Sequence, residues 1–88
     1  MGMNASHFDL SEKLAEYRNR IELIGNMGYK HDLRKMYESS VWTYRELDKE
    51  SVTCRRTRKI TPAYLEIKAD LEAKWENLER YLMWANLM

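Results

Sequence analysis

The single proline, Pro62, lies between two stretches without any helix breaker: neither Tyr29 to Thr61 nor Ala63 to Met88 holds a glycine or a further proline. Proline disrupts a helix interior but fits the first helical turn, where its missing N–H forfeits no hydrogen bond. The chain is therefore expected to form two long helices reversed at Ile60-Thr61-Pro62, with Thr61 capping the second. Ile60 and Leu65 have the spacing of a hydrophobic staple across that cap.

Apolar periodicity supports this reading. Leu33, Met36, Tyr37, Ser40, Tyr44, Leu47, Ser51 and Cys54 share one stripe of the first long helix at about 100° per residue. Tyr64, Ile67, Leu71, Trp75, Leu78, Leu82 and Ala85 form the matching stripe of the second. Ser40 and Ser51 are small enough to admit a bulky neighbour. Folding at residues 60 and 61 pairs positions whose numbers sum to roughly 121. Cys54 is then expected near Ile67, Leu47 and Tyr44 near Trp75 and Leu78, Ser40 near Leu82, and Tyr37 near Ala85. On the flanks, Arg55 should approach Glu66, Lys49 should approach Glu72, and Arg45 should approach Glu76. Asp70 with Lys74 and Glu76 with Arg80 have the four-residue spacing of pairs within one helix.

A shorter helix precedes the hairpin. Asp9 with Glu12 resembles a capping box, and Leu10, Leu14, Tyr17, Ile21 and Ile24 recur on one face. Gly25 and Gly28 are expected to end this helix in the left-handed conformation. The expected architecture is all-α: a disordered leader over residues 1–8, then a single helical domain over 9–88. Its helices should span about 10–25, 31–59 and 62–87, the middle one starting at His31 or Asp32. A first helix of roughly 15 residues, about 22 Å long, reaches only the half of the hairpin built from residues 31–46 and 74–88. The segment Tyr81, Leu82, Met83, Trp84, Leu87 and Met88 is apolar around most of the helix, as suits contact from several sides. The half near Thr61 is left as a two-helix arm, with Cys54, Tyr64, Ile67 and Leu71 partly wet and the bundle completed by oligomerisation.

Composition excludes several function classes. A chain of 88 residues with 33% charged residues, Gly 3 and Pro 1 is poor in the turn residues a β fold requires. No apolar run is long enough to span a membrane, and no basic segment followed by an apolar core marks a secretion signal. Cys54 is the only cysteine, so neither an intrachain disulfide nor a multi-thiolate metal site is available; a cytoplasmic location is the expectation. His7 lies in the leader and His31 at a helix start, while Glu72, Glu76 and Glu79 are expected to face outward. No catalytic residue, cofactor or metal is therefore assigned, and the chain is not read as an enzyme.

What remains is a small helical module for protein–protein interaction or self-assembly, of the kind found among accessory proteins of viruses and mobile elements. Its partner would be a second copy, as a homodimer or higher oligomer, or another protein. The candidate interface comprises Trp42, Cys54, Tyr64, Ile67 and Leu71. Trp42 is the outlier, pointing away from the apolar stripe among Lys35, Glu38, Arg45, Glu46 and Lys49. The alternative is nucleic-acid or nucleotide binding through Arg55, Arg56, Arg58 and Lys59 at the hairpin tip, beside aromatic rings. A net charge of +1 and the expected offset by Glu66 and the other acids of the last helix disfavour that alternative.

Overall fold

The computed structural model describes the backbone of residues 3–87 and the side chains from Leu10 to Leu87. It is all-α: α1 spans Met3–Glu22, α2 spans Met27–Thr57 and α3 spans Pro62–Leu87. No strand occurs among the described residues. The three helices form an elongated body of 47 × 21 × 15 Å whose long dimension is that of α2.

The reversal lies where the sequence places it, and its chemistry is local. The Thr61 hydroxyl accepts from the Tyr64 N–H at 3.1 Å and donates to Glu50 Oε2 at 2.7 Å. It thereby caps α3 and ties the cap back to α2. α2 closes through Arg58, which adopts φ 59° and ψ 32° and donates its backbone N–H to Cys54 O, followed by Lys59 N–H to the same carbonyl at 3.1 Å. This is a left-handed C-cap made without glycine. The staple does not close: Ile60 and Leu65 are 50% and 57% exposed.

Because α2 ends at Thr57, the connection takes Arg58 to Thr61 and the pairing centre moves toward the N-terminus. Lys74 Nζ donates to Thr43 Oγ1 at 2.6 Å, and Tyr81 Oη donates to Asp32 Oδ2 at 2.9 Å. Both partnerships fall short of the expected sum of 121, the first by about one helical turn. The expected flank pairs Arg55–Glu66, Lys49–Glu72 and Arg45–Glu76 are accordingly absent among the described residues. The two pairs within α3 are present, Lys74–Asp70 at 3.2 Å and Arg80–Glu76 at 3.3 Å.

Helix boundaries depart from expectation at the start of α1 and at the start of α2. α1 starts at Met3 rather than Leu10, because no glycine or proline interrupts residues 3 to 9, so most of the expected leader over 1–8 is helical backbone. α2 starts at Met27 rather than His31 or Asp32: Asn26 Oδ1 accepts the Tyr29 N–H at 3.0 Å and caps the helix. Neither Gly25 nor Gly28 takes a positive φ, and Gly28 sits in the first turn of α2. The α1–α2 turn is therefore made by the asparagine and not by left-handed glycines.

The core joins all three helices. Leu14, Tyr17, Ile21 and Ile24 bury against Leu33, Leu47, Leu71, Trp75, Leu78 and Leu82. Ser40, Thr43 and Ser51 are buried at the α2 seam, and their hydroxyls bond Tyr37 O, Ser39 O and Asp48 O. Self-satisfied small side chains let α3 approach without stranding these hydroxyls, while Trp75 Nε1 of α3 is buried without a hydrogen-bond partner among the described residues.

Candidate functional site

α1 lies along the half of the hairpin expected for it. Tyr17 packs on Trp75 with ring centroids 6.2 Å apart, Arg20 grips Glu79 in a fork of 2.8 and 2.9 Å, and Arg34 of α2 pairs with Glu22 at 3.1 Å. Glu79 thus faces α1 instead of solvent, which corrects the outward placement expected of it. The Arg20 hydrogen bonds hold its carboxyl below the ordinary range. Burial, then the neighbouring Glu79, pushes the Tyr17 phenol up to about 12. These groups fasten α1 to α3, and Tyr17, Trp75 and Glu79 line a groove with Lys13, Glu72, Glu76 and Arg80.

The arm is not wet. Leu71 is 0% exposed, while Cys54 and Tyr64 are also buried, and only Ile67 is intermediate among the expected arm contacts. The Thr61 hub draws the connection over the seam, with Cys54 Sγ 3.7 Å from Thr61 Oγ1. Cys54, Tyr64 and Leu71 therefore belong to the interior, and Trp42 and Ile67 are the sequence-derived candidates that retain accessible surface.

Unspent apolar surface lies instead at the opposite end. Tyr29 rests 4.7 Å from Trp84 and 6.1 Å from Tyr81, and Tyr81 meets Trp84 edge-on at 5.7 Å. This aromatic knot joins the start of α2 to the end of α3. Partial burial and the bond to Asp32 raise the Tyr81 phenol above its usual value. Around the knot Leu23, Met27, Met83, Trp84 and Leu87 are exposed. The all-round apolar character of Tyr81 to Leu87 had predicted contact from several sides; here only Leu82 and Ala85 are fully buried. Met83, Trp84 and Leu87 thus keep apolar surface that none of the described residues covers. Sequence reasoning passed over Leu23 and Met27, although both are large apolar residues off the buried stripes.

A second surface runs along the outside of α2. Trp42 is 66% exposed, with the Arg45 guanidinium 5.2 Å from its ring centroid. At about 100° per residue Trp42, Arg45, Lys49, Val52 and Arg56 lie on one face, all exposed. Arg55, Arg58 and Lys59 are exposed beside its end. None of these cations forms an ion pair among the described residues.

His31 is exposed, and His7 lies outside the described side chains. Among the described residues no group of three or more His, Cys, Asp or Glu is placed to hold a metal ion, and no helix is long and apolar enough to cross a membrane. Compared with known proteins, the chain matches no family model, no curated protein and no solved structure.

Proposed function

We propose that this protein is a helical interaction module that works by self-association through the apolar end formed by the α1–α2 connection and the last turns of α3. One observation carries the reading: Leu23, Met27, Met83, Trp84 and Leu87 are exposed at the same end as the Tyr29–Tyr81–Trp84 knot. Side chains of this size at about half exposure or more leave on the order of 500 Å² of apolar surface, comparable to the largest patch on a typical monomer, which is often functional. Rings locked against one another lose little conformational freedom when a partner covers them. A second copy is the partner that needs nothing beyond this sequence, and twofold dimers are the commonest homo-oligomers.

The test is the solution mass of the whole chain by sedimentation or light scattering across a wide concentration range. The expected result is a dimer or larger species that the double variant Trp84→Glu, Leu87→Glu converts to monomer at unchanged helicity. A wild-type chain that stays monomeric at every concentration, or a double variant that keeps the wild-type mass, overturns the proposal. Substitution at Ile67 on the closed arm should leave the mass unaltered.

A further inference from the structure

The outer face of α2 lies away from that apolar end and is chemically different. From the sequence, Glu66 and the other acids of α3 are expected to offset the basic residues. Among the described residues no acid of α3 forms an ion pair with these cations: Glu76 pairs with Arg80, Asp70 pairs with Lys74, and Arg45 turns to the Trp42 ring. Between Trp42 and Arg56 the face carries Arg45, Lys49 and the apolar Val52, with Glu46 at its border and Glu38 one turn before it. The face extends over roughly 20 Å of helix from Trp42 to Arg56 at 1.5 Å per residue, with Arg58 and Lys59 continuing past its end.

We infer that this face is a binding site for single-stranded nucleic acid, in which Arg45, Lys49 and Arg56 follow the phosphates and Trp42 stacks on an unpaired base. Exposed indole is unfavourable to keep in water, and an aromatic face beside an unpaired cation track is the combination that sequence-tolerant single-strand binders use. The Arg45 guanidinium lies 5.2 Å from the Trp42 ring centroid and brings a positive charge beside the exposed indole. A duplex offers no free base face to Trp42, so the single strand is the preferred form. The inference is independent of the apolar end, and either proposal can fail alone.

The experiment titrates the full chain against a fluorescein-labelled oligothymidine and follows anisotropy at low salt and then at rising salt. Saturable binding is expected. Trp42→Ala should weaken it at least roughly five-fold, the lower end of the loss of one stacked base. The triple variant Arg45→Ala, Lys49→Ala, Arg56→Ala should reduce the slope of log affinity against log salt by about 2, since each phosphate contact on a single strand contributes about 0.7. Both variants alter exposed positions, and circular dichroism verifies that the helices persist. No binding at low salt overturns the inference, as do wild-type affinity in Trp42→Ala, an unaltered salt slope in the triple variant, and equal affinity for the matching duplex. Binding to anionic vesicles or an acidic peptide without binding to the oligonucleotide also overturns it, by assigning the face to another polyanion.

Discussion

Three residues hold positions that their chemistry makes measurable. Arg58 takes a left-handed conformation that a Cβ disfavours by roughly 1–2 kcal/mol, and its backbone N–H closes α2 on Cys54. Arg58→Gly is therefore expected to raise the unfolding free energy by about 1 kcal/mol in urea titration, less what is lost to the greater freedom of the unfolded chain. The second is Glu79, whose carboxyl pKa is lowered by Arg20. A depressed folded-state value contributes stability above the unfolded value of about 4.3, and that contribution disappears as pH falls through the folded value. Thermal midpoints should drop on acidification below about pH 4, and Glu79→Gln should flatten part of that decline. At the other extreme, Tyr17 is pushed up to about 12 from an ordinary value of 10.0, so its contribution is complete below pH 10.0 and is lost between the two values. Tyr17→Phe should remove that alkaline sensitivity. Neither effect was readable from spacing: Glu79 lies one turn after Trp75, and only the placement of α1 shows which way it faces.

At the level of helices, local chemistry was legible and reach was not. Thr61-Pro62 announced a helix start because capping depends on residues a few positions apart, and the buried stripes of α2 and α3 followed from periodicity alone. The start of α2 was missed because Asn26 stands between two glycines that read as a helix terminator. Asn26→Ala is expected to cost about 1 kcal/mol, measured by chemical denaturation, and to increase amide exchange at Met27 to Tyr29. The Asp9–Glu12 pair imitated a capping box, yet nothing before it breaks the helix, so α1 extends back to Met3. The reversal was placed within a few residues. The exact alignment of α2 against α3 was not, since a left-handed arginine is a poor candidate for a helix end in any sequence reading.

For the molecule as a whole, the closed tip makes the arm a continuation of the core, with Cys54, Tyr64 and Leu71 in the same buried cluster as Leu14 and Leu82. Leu71→Ala should cost about 2–5 kcal/mol, as deletion at any fully buried leucine does, and should lower the urea midpoint reported by Trp75 and by far-ultraviolet helicity together. Separate transitions would show that the arm opens alone. The surplus apolar surface at the other end was half visible in the sequence: the all-round pattern of Tyr81 to Leu87 revealed how much cover that segment wants, while only the fold reveals how little it receives. The seclusion of Cys54 against Thr61 has a further use. A thiol-modifying reagent can reach the sulfur only when the bend springs apart, so the labelling rate of the native protein, with no reporter added, is a clock for how often the hairpin unlatches.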